Sequence, residues 1–374
     1  MAGIYIHIPF CKKACHYCNF HFSTTMQRMP EMIAAIEKEA GLRKNYLSEN
    51  IETIYFGGGT PSLMSSIELT GLIRKLYALF VVAENAEITL EANPDDITEE
   101  HLIGWKAAGI NRLSIGIQSF FEEDLQWMNR AHTAGQAKHC IELAQKHGFN
   151  NITIDLIYGT PGLTDAKWEQ NIDTALSLQI PHLSCYALTV EPKTALSKMI
   201  ATHQSEDVDM DTQARHFTLL TERLSTAGFE HYEISNFALP GFRSRHNSSY
   251  WQGKPYLGLG PSAHSFNGKS RQWNVANNSL YLTALDKNEI PCEEEMLSSA
   301  QQLNEYIMTS LRTIEGISLT KVVDTWSEEK AALVLAAAQK HIDFNHVFLA
   351  ENILRLTKEG KFLADGIAAD LFQL

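Results

Sequence analysis

The chain is poor in cysteine, with six thiols in 374 residues. They are too few and too unevenly spread for a disulfide framework, which fits a reducing compartment and makes the cytoplasm the expected location. No apolar run approaches the ~20 residues that cross a bilayer. The start of the chain lacks the basic segment, apolar segment and cleavage site of a secretory leader, so export is not expected. Positive charge is also short: 31 Lys and Arg against 44 Asp and Glu give a net charge of −13. Nucleic acid is therefore not an expected partner. There is no low-complexity tract. What remains is an ordinary globular composition, 44% hydrophobic and 20% charged, long enough for two or three domains.

Three of the cysteines are concentrated in Cys11-Lys12-Lys13-Ala14-Cys15-His16-Tyr17-Cys18, a C-x3-C-x2-C spacing. An apolar run, Ile4 to Ile8, precedes them and reads as a strand ended by Pro9. A loop hung on a strand end can aim three sulfurs at one object. Thiolates are soft ligands that select zinc, copper(I) or iron–sulfur clusters. A structural zinc ion asks for four ligands, and His16 is the only obvious fourth. A [4Fe–4S] cluster on three cysteines would leave one iron open. Cys140, Cys185 and Cys292 are scattered and read as small buried hydrophobes.

Strand patterns begin near residues 4, 51, 87, 112, 151 and 182, each followed by a helical pattern. Strict β–α alternation implies a parallel sheet with right-handed crossovers. Six units are too few for an eight-stranded barrel and suit an open, partial (β/α)6 barrel. Such sheets place chemistry at the carboxyl ends of their strands. The cysteine loop, Gly57-Gly58-Gly59, Glu91, Gln118 and Asp155 all fall at or near such ends. Residues 211–227 read as a helix and 231–237 as extended chain. Residues 240–278 are dense in turn residues and aromatics. From about 298 the pattern is helical, closing with a strand, a turn and a short helix. The expected division is a partial barrel over 1–240, an irregular connecting region over 241–297, and a small, mostly helical, winged-helix-like domain over 298–374.

Some residues stand out within this frame. The glycine triplet lets a ligand approach the backbone closely. Asp155 interrupts an apolar strand and needs a polar partner; Arg130 is a candidate for that role. In His246-Asn247-Ser248-Ser249-Tyr250-Trp251 an imidazole stands beside two large aromatics. Imidazole is the usual haem ligand, although a lone histidine is more often a core or surface residue, so these residues alone do not decide for haem.

The cysteine spacing, on the loop after the first strand of an α/β chain, resembles the radical S-adenosylmethionine (SAM) superfamily. In that superfamily the open iron binds SAM, and electron transfer splits it to a 5′-deoxyadenosyl radical. Tyr5-Ile6-His7-Ile8-Pro9-Phe10-Cys11, the Gly57 to Pro61 turn, Ser114 to Phe120 and Asp155 to Gly159 together look like the oxygen-independent coproporphyrinogen III oxidase family. The resemblance continues into the C-terminal domain. It implies Cys11, Cys15 and Cys18 as cluster ligands. It also implies Tyr5, Tyr17, Gly58, Gly59, Thr60, Glu91, Gln118, Arg130 and Asp155 as SAM contacts.

Two departures stand out. The oxidases carry a fourth cysteine where this chain has Phe20, and they have a long N-terminal extension where only ten residues precede Cys11 here. With the His246 motif, these departures look like the haem chaperone branch. That branch implies haem as a third ligand, with His246 as its candidate contact and no catalytic residue. It also implies delivery of haem to apo-proteins of respiratory enzymes, membrane-bound subunits among them. The alternative is oxidative decarboxylation of coproporphyrinogen III propionates. A homodimer, and peripheral contact with the inner membrane face, are left open.

Overall fold

The computed structural model describes residues 2–373. The alternation unfolds as expected: β1 (Ala2–Ile8), α1 (Met29–Leu42), β2 (Ile51–Gly58), α2 (Ser66–Leu79), β3 (Val82–Ala92), α3 (Glu99–Ala108), β4 (Arg112–Gln118), α4 (Glu122–Trp127), α5 (Ala134–Lys146), β5 (Ile152–Tyr158), α6 (Asp165–Ser177) and β6 (His182–Ala187). Neighbouring strands from β1 to β6 pair in parallel and in sequence order. They read as continuous apolar runs because helices or side chains cover both faces of a parallel sheet. The helices carry their own stop and start signals. Ser65 and Glu68 form a capping box on α2, Thr133 and Gln136 form another on α5, and Gly109 ends α3 in the left-handed region. Trp105 and Trp168, both fully buried, seat α3 and α6 in the core.

After β6 come α7 (Ala195–Ala201), α8 (Met210–Thr226), β7 (Glu230–Glu233) and β8 (Asn236–Ala238), the last two closing that edge antiparallel. The stretch expected to be irregular is in fact regular. It holds α9 (Arg245–Trp251), β9 (Tyr256–Leu259), β10 (His264–Phe266), β11 (Ser270–Asn274), α10 (Asn278–Asp286) and β12 (Cys292–Met296). Strand β9 pairs in parallel with β1, and β10 to β12 continue the sheet antiparallel, giving twelve strands in one open order from β12 to β7. These strands run three to five residues, too short for a periodic signal, and they exist because β1 offers an edge to pair with. A buried carboxylate fixes them in place. Glu39 on α1 is fully buried and accepts from Arg43 (3.2 Å), Asn274 (2.7 Å), Tyr281 (2.7 Å) and the Gly260 amide (2.9 Å). Every lone pair of a buried charge is thereby answered.

The C-terminal residues form a second core around Leu303, Ile307, Val322, Val334 and Leu354. Helices Ser299–Leu311, Leu319–Thr325 and Glu328–Asp343 pack with a three-stranded antiparallel sheet of Ile317–Ser318, Val347–Ala350 and Ile353–Leu356. Strand Val347–Ala350, absent from the sequence expectation, exposes its two middle residues and so reads as loop. Arg312 docks this unit on the barrel through Glu233 (3.1 Å) and through its carbonyl, which accepts from the Ile234 amide (3.1 Å).

Candidate functional site

Pro9 ends β1 and the chain enters a closed loop. The Cys11 amide donates to Ser23 (3.0 Å), and the Ser23 amide donates back to Pro9 (2.9 Å). Within this loop Cys11, Cys15 and Cys18 are free thiols, each partly exposed. The loop is tied down from outside: Asn129 donates to the Ala14 carbonyl (2.8 Å), and Lys12 pairs with Asp95 (2.7 Å) and Asp96. His16 turns its Nδ1 to the Trp127 carbonyl at 2.7 Å. Among the described residues no three Cys, His, Asp or Glu side chains are gathered as a single metal ion would need. A cubane asks for a different arrangement, in which each cysteine meets its own iron.

Burial pushes Cys11 up to about 11, a shift that the Thr60 hydroxyl opposes and the crowding of Cys18 and Cys15 reinforces. Burial likewise raises Cys18. Iron bound there would reverse this by holding the sulfurs as thiolates. Donors for such thiolates are already present: Thr60 Oγ1 lies 3.4 Å from Cys11 Sγ, and Arg130 Nη1 lies 3.3 Å from Cys15 Sγ. The donor set therefore fits a three-cysteine [4Fe–4S] cluster.

The other expected contacts gather around this loop from the ends of β1 to β5. Glu91 accepts from Tyr55 (2.8 Å) and from the Gly58 amide (3.2 Å). Burial raises its carboxyl to about 7, opposed by the Tyr55 hydrogen bond and reinforced by Asp155. Asp155 is raised to about 6, again mainly by burial, with Ser184, Arg112 and Arg130 pulling the other way. Two raised carboxyls facing one space favour a cationic ligand, and SAM brings an ammonium and a sulfonium. Arg130 bonds Asn93 (3.0 Å) and the Gly116 carbonyl (2.7 Å), while its buried Nε has no partner. That orphaned donor suits a ligand carboxylate. Gln118 takes a left-handed φ of 68° at the end of β4, and its amide stands beside Arg130 over Gly116. A residue other than glycine in that region is uncommon and concentrates at functional sites. A side chain at Gly59 would meet the Phe10 carbonyl at 2.5 Å, so only glycine allows the turn to press against the cysteine loop. Tyr17 packs with Met128 and Leu196 behind the sulfurs, and Tyr5 pairs across strands with Tyr55. When bound, the cluster and SAM supply one-electron chemistry. The residues above are the ones that would hold them, orient them and balance their charge.

His246 lies elsewhere. Its ring is buried, with Nδ1 on Thr53 (2.7 Å) and Nε2 on Tyr250 (2.8 Å), and it stacks on Tyr55 at 5.0 Å. Its neighbours in the motif face open space: Tyr250 and Trp251 line a cavity of about 820 Å³ between the barrel and the C-terminal unit. Phe20 and His21 of the cysteine loop line it too, as do His264 and Arg271 of the added strands and Tyr306, Lys321 and Trp326 of the C-terminal helices. Sequence reasoning did not single out Asn93, Tyr55, Arg271 or Lys321. The strand-end position of Asn93, two residues after Glu91 and just past the end of β3, was the available signal; the cavity residues carry none, because they meet only in the fold.

Comparison with known proteins agrees with this geometry. Residues 5–175 match the Radical SAM superfamily, which implies a [4Fe–4S] cluster and SAM. The heme chaperone HemW of Mycobacterium tuberculosis is 34% identical over 375 residues, 99% of this chain and 94% of that protein. HemW of Bacillus subtilis is 32% identical over 374 residues, 98% of each. Among solved structures, coproporphyrinogen III oxidase (HemN) from Escherichia coli superposes with a TM-score of 0.86 at 22% identity, covering 100% of this chain and 90% of its own. At that identity the match speaks for the fold. The likeness to the chaperones extends beyond the barrel and through the C-terminal unit, and by it this chain belongs to the heme chaperone HemW family of the radical SAM superfamily.

Proposed function

We propose that this protein binds haem in the cavity between the barrel and the C-terminal unit and passes it to haem-accepting apo-proteins. The observation that carries the reading is the character of that cavity. Its volume, about 820 Å³, lies within the range of roughly 300–1,000 Å³ usual for small-molecule sites. Flat aromatics line it: Phe20, Tyr250, Trp251, Tyr256, Tyr306 and Trp326. In a chain of net charge −13 it presents Lys254, Arg271 and Lys321 against one carboxylate, Glu305. An aromatic slot with cations at its rim suits a porphyrin bearing two propionates.

The cluster on Cys11, Cys15 and Cys18 and SAM on Tyr5, Tyr17, Gly58, Gly59, Thr60, Glu91, Gln118, Arg130 and Asp155 belong to the same reading. Phe20, 68% exposed, stands where the oxidases carry a further cysteine, and it presents a ring to the cavity where a thiol would have stood. His246 acts through Tyr250, holding its hydroxyl at the cavity wall. Six free thiols fit work in the cytoplasm, and no helix among the described residues is long and apolar enough to cross a membrane.

Titrating purified protein with haemin, with and without a reconstituted cluster, tests the reading. A saturable Soret band and transfer of that haem to an apo-acceptor are expected; absence of binding in both forms sinks it. An anaerobic assay with SAM, a reductant and coproporphyrinogen III is expected to yield no decarboxylated porphyrin. Robust product would replace the chaperone reading with the enzymatic one.

A further inference from the structure

We propose that His264 is the side chain that ligates the haem iron, an assignment that rests on the reading of the cavity as a haem site. Three histidines line that cavity: His7, His21 and His264. His7 is spent, because its Nε2 donates to the His21 carbonyl (2.8 Å) and its Nδ1 accepts from Tyr5 (3.2 Å). His21 has Nε2 on Asn278 at 2.7 Å and stacks on His7 at 6.2 Å; its Nδ1 stays open, which makes it the rival ligand that the titration below distinguishes. His246 reaches the cavity only through Tyr250, with both nitrogens engaged.

The position of His264 follows from strand geometry. Side chains alternate across β10. Ser265 turns inward, where its hydroxyl accepts from the Gly258 amide at 2.9 Å and is buried. His264 and Phe266 therefore share the opposite face, and both line the cavity. Arg271 pairs with Phe266 on the neighbouring strand and places a cation on the same wall. The ring of His264 is exposed and makes no hydrogen bond among the described residues; its ring neighbour is Trp273, 6.4 Å away. An imidazole with free lone-pair access, on a rigid strand and flanked by aromatics, is what an iron porphyrin needs. Coordination then takes the ring nitrogen lone pair to iron without releasing a proton.

The experiment is a haemin titration of wild type, His264→Ala, His21→Ala and His246→Ala, read by Soret position and by affinity. His264→Ala is expected to shift the band and weaken binding at least tenfold, and free imidazole is expected to restore the wild-type spectrum. The other two variants are expected to keep the wild-type band. If His264→Ala keeps the wild-type band and affinity, the ligand assignment is overturned and the haem reading stands. If the band is lost in His21→Ala instead, the iron belongs to His21 and the assignment again fails. Wild-type protein that binds no haemin overturns the haem reading and this assignment together.

Discussion

The cysteine loop and the proposed haem cavity share a boundary at Phe20 and His21, yet they are built in opposite ways. The cluster site is made of short segments, each at the end of a strand in a parallel sheet. Its polar groups are bonded to neighbours already in place: Glu91 to Tyr55 and Gly58, Arg130 to Asn93 and Gly116. The cavity instead pools single residues from the cysteine loop, α9, the added edge strands and the C-terminal helices. Its cations come from separate elements too: Arg271 on β11 pairs with Glu305 (2.8 Å), and Lys321 lies over the Tyr306 ring at 4.4 Å. A bound cofactor needs preorganisation, whereas a cargo that must leave is served by a slot shared between two units.

The sharpest way to break the comparison is at the sulfurs. Cys15→Ala removes the thiol that Arg130 addresses and one of three ligands. Anaerobic reconstitution followed by iron and acid-labile sulfide analysis is expected to fall to background. Haem binding is expected to persist, since none of the three cysteines lines the cavity. A variant that loses iron and haem together would show that the two sites are one.

Glu91 offers the next largest effect. Glu91→Gln keeps the shape and removes the charge, and SAM binding above pH 7 is expected to weaken about 10- to 100-fold, the scale of a lost charged hydrogen bond. The carboxyl titrates at about 7, so wild-type affinity for SAM is expected to rise between pH 6 and pH 8 while the variant stays flat. Stability moves the other way. A carboxyl whose folded-state pKa lies above its ordinary 4.5 binds more protons folded than unfolded, so its contribution to stability is lost as pH rises toward 7. Ligand-free Glu91→Gln is therefore expected to outlast wild type in thermal unfolding at pH 8, although it binds SAM more weakly. A flat wild-type affinity profile would show that Glu91 does not meet a cationic group.

The same contrast explains what could be read before the fold was known. The six β–α units were legible because the strands are largely buried apolar runs and several of the helices carry caps such as Ser65 and Thr133. Strand-end chemistry follows from the topology, so Glu91, Gln118 and Asp155 could be placed from the alternation alone. Strands β9 to β12 were not legible, because four residues such as Tyr256–Leu259 become a strand only beside β1. His246 attracted attention as part of a motif with two aromatics, yet the helix turns Tyr250 to the cavity and leaves the imidazole behind it. His264, in the Gly-rich stretch that follows that motif, could not be preferred to His246 until β10 fixed which way it points.

The smallest expected effect separates support from ligation. His246→Ala removes a ring that bridges the Thr53 and Tyr250 hydroxyls and stacks on Tyr55, while the backbone amide keeps its bond to Glu87 (3.0 Å). Two buried hydroxyls lose a partner and a void opens, a cost of about 2–4 kcal/mol in urea unfolding at neutral pH. Burial holds this histidine at about 3, with the Arg112 charge adding to the effect. Keeping it neutral thus costs the wild type stability as pH falls from 6.5 toward that value, a penalty the alanine variant does not carry. The gap between the two proteins is expected to narrow from pH 7.5 to pH 5. With haemin the variant is expected to show the wild-type Soret position and an affinity within about threefold, because Tyr250 keeps its ring at the wall and loses only an anchor worth about 1 kcal/mol. A gap that stays constant with pH would mean that the ring titrates in the native state as it does in the unfolded chain, and the buried bridge between Thr53 and Tyr250 would have to be abandoned.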